Sequence, residues 1–204
     1  MPHVDFRQIT TESYGPVPID KYPCVVHVEW LKKDEAGNLM TGGDGQPARI
    51  TTNAGDEMWN LTNYVMDGPH FDKPIYDSVS FGAKALKRAK IILIRAGMMP
   101  SDEECTKNPA LWPMQNQEFQ PEELDGTCWW VTIESHEARV NSDGTPKLSK
   151  AGKPLFKAKI AFDGYEPMKK DDAVLFRKNY LARKANQTPP PETAGDNGHG
   201  EMPF

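Results

Sequence analysis

Alternating apolar and polar positions predict five strands, with a helix between the third and fourth. Cys24 to Lys32 follows Pro23 as a β-branched and aromatic run ending in charges, and reads as strand 1. Met58 to Met66 alternates as strand 2, with Trp59, Leu61 and Val65 on one side and Asn60, Thr62 and Tyr64 on the other. After the turn Asp67-Gly68-Pro69, strand 3 runs from Ile75 to Phe81, with Ile75, Val79 and Phe81 inward and Tyr76, Ser78 and Ser80 outward. Ala83 to Ala96 lacks Gly and Pro, is rich in helix formers and stops at Gly97, which predicts a helix with a glycine C-cap. Strand 4 is Thr127 to Glu134, with Trp129, Val131 and Ile133 sharing one face and Trp130 and Thr132 the other. Strand 5 is Leu155 to Phe162, placing Phe156, Ala158, Ile160 and Phe162 inward and Lys157 and Lys159 outward.

The connections are polar. Asp34 to Asp56, centred on Gly42-Gly43-Asp44-Gly45, is expected to be a long mobile loop, and Ser135 to Pro154 a second loop. Pro100 to Pro121 reads as an irregular insertion whose Trp112 covers one end of the fold; Trp59 and Trp129 are expected in the core. Asp171 to Lys184 has the spacing of a second amphipathic helix, and its role in packing, oligomerisation or transient order stays open. Three strands, a helix and two further strands is the element order of a mainly β OB-fold, a five-stranded Greek-key barrel. SH3-type barrels and open α+β sheets use similar element lists, so order alone leaves them open.

Charge refines this picture. The formal net charge of -5 is unevenly spread: residues 1–135 hold 12 Lys+Arg against 20 Asp+Glu, residues 136–184 hold 12 against 6, and residues 185–204 hold none against 3. A basic segment followed by an acidic one leaves room for a polyanionic partner, because phosphate contacts act locally. No apolar run approaches a membrane span, and the start Met1-Pro2-His3-Val4-Asp5-Phe6 lacks the pattern of a secretory signal, so a cytoplasmic location is expected. Cys24, Cys105 and Cys128 are odd in number and far apart, which fits neither a disulfide framework nor paired zinc ligands. His3, His27, His70, His136 and His199 have no ligand-like spacing, Asp56-Glu57 and Glu103-Glu104 form no metal constellation, and Gly42-Gly43-Asp44-Gly45 lacks the Lys-Ser or Lys-Thr of a phosphate loop. A non-enzymatic protein without metal or cofactor is the expectation.

Several segments together carry a resemblance. Ile19-Asp20-Lys21-Tyr22, Val65-Met66-Asp67-Gly68-Pro69 followed by Ile75-Tyr76-Asp77, Arg95-Ala96-Gly97, Pro121-Glu122-Glu123-Leu124-Asp125-Gly126 and Gly164-Tyr165-Glu166-Pro167 occur in an order that resembles a family of phage-encoded OB-fold single-stranded DNA-binding proteins. The resemblance covers roughly residues 1–170, while the insertion at 100–120 and the long first loop depart from it. It implies an OB-fold DNA-binding domain at 1–170, serving phage DNA replication, recombination or repair in the host cell cytoplasm. Residues 185–204 are rich in Pro, Gly, Asn and acids and are expected to be a disordered tail. The tail ends Glu201-Met202-Pro203-Phe204 with Asp196 nearby, and looks like the acidic Pro-Phe tip by which bacterial single-stranded DNA-binding proteins recruit replication and repair partners. A terminal ring, a free carboxylate and neighbouring acids suit an apolar pocket rimmed by Lys or Arg.

Sequence-independent binding of single strands requires cations along the phosphates and aromatic faces for the bases. Tyr64, Tyr76, Trp130, Lys157 and Lys159 are the outward candidates, with Lys32, Lys33 and Arg49 in the first loop and Arg139, Lys147, Lys150 and Lys153 in the second. Each has a plainer reading: outward rings also pack under helices, and loop lysines are often only solvated. Two other functions remain open from sequence, a strand-annealing recombination mediator and an adaptor of the replication machinery without DNA contact. Oligomeric state is not legible.

Overall fold

The structure, a computed structural model, describes residues 16–141, 143–148 and 152–187. Five strands, β1 (Lys21–Glu29), β2 (Met58–Val65), β3 (Pro74–Ser80), β4 (Cys128–Ala138) and β5 (Phe156–Pro167), form one antiparallel sheet in the order β3-β2-β1-β4-β5. The fold is mainly β. Among the described residues four helices accompany the sheet: α1 (Leu86–Arg95), α2 (Asp102–Lys107), α3 (Pro121–Leu124) and α4 (Lys170–Gln187), with a 3-10 helix at Pro109–Asn116.

β1 is central because both its edges are paired, Val25 opposite Tyr64 on one side and Cys128 on the other. Its alternate residues Cys24, Val26 and Val28 are buried together with Trp59, Leu61, Val65, Ile75, Val79, Trp129, Val131, Ile133 and Ile160. This inner face closes against Ala89, Ile92 and Leu93 of α1, whose ladder ends at Gly97 with φ of 75°. β3 and β5 are the sheet's two edges; among the described residues they share no ladder.

The structure moves several expected positions. β1 begins three residues earlier than the hydrophobic run suggests, because Lys21 and Tyr22 pair with Thr132 and Val131. Phe156 and Phe162, expected inward, are 48% and 50% exposed. Phe156 lies where β5 leaves the core. Phe162 lies in a bulge: Val131 pairs with Tyr165 but Ile133 pairs with Ile160, so residues 161–164 are extruded from the ladder and Tyr165 takes the core position. Gly164 permits this, since a Cβ there would lie 2.9 Å from the Ala161 and Thr132 carbonyl oxygens. Arg95 of α1 pins the bulge through Asp163, Nε at 3.2 Å and NH2 at 2.9 Å. Trp112 does not cap the fold. It is 44% exposed on the 3-10 helix, and Met99 and Phe119 instead border Ala89 and Leu93 of α1.

The described residues of the two long loops share one design. In the β1–β2 loop the Lys32 N–H donates to the Ala48 carbonyl at 2.7 Å, Met40 to Lys32 at 2.9 Å and Ala48 to Met40 at 2.8 Å, a closed triangle of backbone bonds at eight-residue spacing. In the β4–β5 loop Arg139 donates to Leu155, Lys147 to Arg139 and Leu155 to Lys147, each at 2.8 Å. Short hairpins grow from the triangles and turn at Gly37, Gly45 and Gly144, and a further one, rooted where Ile50 bonds Trp30 and Met58, turns at Gly55; all four glycines have φ between 80° and 87°. Only glycine takes that conformation without strain. Side chains complete the turns: Asp34 accepts from the Asn38 N–H at 2.8 Å, Asp44 from Gln46 at 3.0 Å and Asp143 from Thr145 at 2.9 Å. Among the described residues each loop is therefore a three-way junction of hydrogen-bonded backbone, and the β1–β2 loop is not the mobile coil its composition suggests.

Candidate nucleic-acid interface

The edges β3 and β5 approach each other across a seam, and the outward side chains of both line it. One cleft of about 220 Å³ lies between Lys73, Pro74, Ile75 and Tyr76 on one side and Arg139, Leu155, Phe156 and Lys157 on the other, with Pro16 and Val17 also lining it. A second, of about 360 Å³, continues from Tyr76 and Lys157 to Asn60, Asp77, Ser78, Arg88 and Lys159. Tyr76 is 51% exposed, and the Arg139 guanidinium carbon stands 5.7 Å from its ring centroid, in cation-π range. Strand alternation puts Tyr76 there, and the first junction residue of the β4–β5 loop puts Arg139 above it.

The seam's cations are balanced by acids. Lys157 lies 3.8 Å from Glu137, and Lys159 lies 3.2 Å from both Glu134 and Glu137. These carboxylates hold the Lys159 proton and raise its pKa, so the group stays charged throughout the neutral range. Arg88 pairs with Asp77 at the floor of the second cleft. Exposed pairs of this kind contribute little to stability, and a phosphate can exchange for a glutamate at small cost.

The sequence candidates divide into groups. Tyr76, Arg139, Lys157 and Lys159 meet at the seam, with Lys147 and Lys153 exposed farther out on the β4–β5 loop. Lys32, Lys33 and Arg49 sit on the β1–β2 loop, which leaves the sheet at its opposite end: β1 runs into that loop after Glu29, whereas β4 passes the start of β1, where Ile133 N–H bonds the Asp20 carbonyl. Lys33 pairs with Glu29 at 3.0 Å and Arg49 with Glu57 at 2.8 Å. Lys150 and the tip residues Asp196, Glu201, Met202, Pro203 and Phe204 lie outside the described residues.

Tyr64 and Trp130 do not join Tyr76 in an open groove. α4 crosses the outer face of the sheet above them, leaving each half-buried. Phe176 meets the Trp130 ring edge-on at 5.8 Å, and the Lys184 ammonium stands 5.0 Å from the Tyr64 centroid. Tyr180 is buried and donates to Asp72 at 2.6 Å, Arg183 donates to Asp67 at 2.8 Å, and the Arg183 guanidinium lies 3.9 Å over Phe71. The second amphipathic helix thus packs on the sheet, anchored to the β2–β3 turn.

Sequence reading passed over two features. Asn63 occupies an inward position of β2 and links β2 to β4 and β5; its signal was a lone Asn within the inward register of Trp59, Leu61 and Val65. The loop triangles were also missed. Their signal is the recurring turn peptide with Gly in fourth place: Asp34-Glu35-Ala36-Gly37, Gly42-Gly43-Asp44-Gly45, Thr52-Asn53-Ala54-Gly55 and Asn141-Ser142-Asp143-Gly144.

Among the described residues no group of His, Cys, Asp or Glu is arranged to hold a metal ion, and no helix is long and apolar enough to cross a membrane. No protein-family model matches this chain, and no curated protein matches it.

Proposed function

We propose that this protein binds single-stranded DNA without sequence preference, as a phage-type OB-fold protein of the host cell cytoplasm that protects the strand during replication, recombination or repair. Several features support an OB-fold barrel: β1 pairs with both β2 and β4, α1 lies between β3 and β4 in the chain, and the seam between β3 and β5 is where such a barrel closes. The observation that carries the functional reading is Tyr76, an exposed ring beneath Arg139 in a cleft continued by Lys157 and Lys159. That set supplies a stacking face and cations together, the two requirements for holding an unpaired strand. The acidic Pro-Phe tip is the proposed recruiting element for partner proteins, and no catalytic step is proposed.

Titration of intrinsic Trp fluorescence with oligo-dT and with duplex DNA, at low and moderate salt, tests the reading. The expected result is tighter binding of oligo-dT that weakens steeply as salt rises, through counterion release. Absence of binding at low salt would reject it in favour of an adaptor role.

A further inference from the structure

Helix α4 carries apolar residues on two opposite sides. At about 3.6 residues per turn, Ala173, Phe176 and Tyr180 point one way, and Val174, Leu181 and Ala185, with Leu175 and Ala182 beside them, point the other. The first side rests on the sheet, where Tyr180 is buried and Phe176 meets Trp130. The second faces water: Val174 is 63% exposed, Leu175 57% and Leu181 56%, and Ala182 and Ala185 are exposed with them. One apolar stripe is enough to hold a surface helix on its sheet. The second stripe is surplus to that docking.

Two charges lie on this second stripe. Asp171 and Lys178 stand about two turns apart and bracket Val174 and Leu175. Both are exposed, and among the described residues neither enters an ion pair. Cations elsewhere on α4 are already matched, Arg183 by Asp67 at 2.8 Å and Lys184 by Asp72 at 3.2 Å. A stripe with an acid before its apolar centre and a base after it, at equal spacing, is complementary to its own image turned through a half-rotation.

We propose that this stripe is a contact between two copies of the chain, whose α4 helices pair antiparallel about a two-fold axis passing between Val174 and Leu175. In that register Asp171 of each copy faces Lys178 of the other, Val174 faces Leu175, and Leu181 reaches the half-buried Met168. A parallel pairing is disfavoured, because it sets Asp171 against Asp171 and Lys178 against Lys178. The charge pattern thus selects both the occupant and its direction. Closed two-fold symmetry limits the assembly to pairs. A stable interface of standard size buries about 800 Å² per partner, more than one helix stripe supplies, so the pair is weak and forms as concentration rises. No residue of α4 lines either cleft of the seam, and the pairing does not depend on the DNA-binding reading.

Sedimentation equilibrium of the full chain without DNA tests the pairing, and a reversible monomer–dimer equilibrium is the expected result. Asp171→Lys and Lys178→Asp are each expected to weaken it at least about tenfold, because both ion pairs become like-charge pairs. An equimolar mixture of the two variants should dimerise again, since one copy then presents two cations and the other two acids at the facing positions. Fraying of the helix by either substitution could not produce that recovery. Val174→Ser together with Leu175→Ser removes the apolar centre and should leave the chain monomeric. A chain that stays monomeric at about 0.5 mM, where a dissociation constant below about 1 mM would register, overturns the pairing. A dimer indifferent to these substitutions, or one that mixing the charge variants fails to restore, overturns this interface.

Discussion

The indole N–H of Trp129 donates to the side-chain oxygen of Asn63 at 2.8 Å, in a position where neither residue reaches water. From there a polar chain crosses the core: the Asn63 amide donates to Tyr165 Oη at 3.4 Å, Tyr165 donates to Asp77 at 2.8 Å, and Asp77 pairs with Arg88. Four strands and α1 are thereby fixed in register around one buried amide. Both burial and the adjacent Asp77 carboxylate push the Tyr165 phenol well above its ordinary pKa, so it remains a donor.

Asn63→Ala is expected to destabilise the fold by about 2–4 kcal/mol, because it orphans a buried indole N–H and opens a small cavity. Tyr165→Phe should cost less, about 1–2 kcal/mol, since the ring still fills its place. The two losses should not add, as both variants cut the same chain. Urea denaturation of the single and double variants measures this, and simple additivity would show that the network is not cooperative.

Gly164→Ala places a methyl group against two carbonyl oxygens and the Ile160 side chain, all at 2.9 Å. None of the carbonyls belongs to a flexible side chain, so the bulge must shift. The expected loss is about 1–3 kcal/mol. It should come with weakening of the Arg95–Asp163 pair, seen as coincident loss in a double-mutant cycle with Asp163→Asn.

The strands were legible because alternation tracks burial wherever the ladder is regular. Trp59, Leu61, Val65, Trp129, Val131 and Ile133 all fall where the pattern puts them. The pattern failed at Phe162 because a bulge shifts the phase of alternation, and only the close approach at Gly164 marks that in sequence. Tyr64 and Trp130 take the outward face that alternation gives them, and of the two readings open to such a ring, stacking face or packing beneath a helix, the structure shows the second. Strand periodicity says which face a ring takes and nothing about which helix crosses it, and α4 is more than a hundred residues from Tyr64 along the chain. The β1–β2 loop reads as mobile because Gly, Asn, Asp and Thr fill it, yet its Gly and Asp residues serve repeated turns that order the backbone.

Docking of α4 should be pH-sensitive at the alkaline end. Burial, followed by the hydrogen bond to Asp72, raises the Tyr180 pKa to about 12 from an ordinary 10.0. The folded state therefore holds this proton more tightly than the unfolded state does. Its contribution is fully present below pH 10 and is lost as pH rises through about 12. Phenolate absorbance at 295 nm should show, besides the still later Tyr165, a tyrosine titrating near pH 12 whose step disappears in Tyr180→Phe, and Trp fluorescence should change in step as Phe176 leaves Trp130. A Tyr180 that ionises with the exposed tyrosines would contradict this packing.

Removing residues 196–204 should leave affinity for oligo-dT equal or slightly higher. The segment carries Asp196 and Glu201 and competes with phosphate for cationic side chains. Filter binding of the shortened chain reads the effect, and a large loss of affinity would count against the tip as a recruiting element.

The two cationic loops should not be equivalent, because they leave the sheet at opposite ends and only one adjoins Tyr76. Replacing Lys147, Lys150 and Lys153 by Ala should weaken oligo-dT binding and reduce the slope of log K against log salt by about 2, since each phosphate contact to a single strand contributes about 0.7. Arg139→Ala should act on two counts, losing a phosphate contact and the guanidinium above Tyr76, and Tyr76→Ala should cost about 1–3 kcal/mol with no change in slope. Lys32, Lys33 and Arg49 stand at the opposite end of the sheet from Tyr76, so their joint replacement should change the slope less. Salt titrations of the four variants in parallel separate these contributions. An equal or larger effect from the β1–β2 loop would move the strand's path away from the seam.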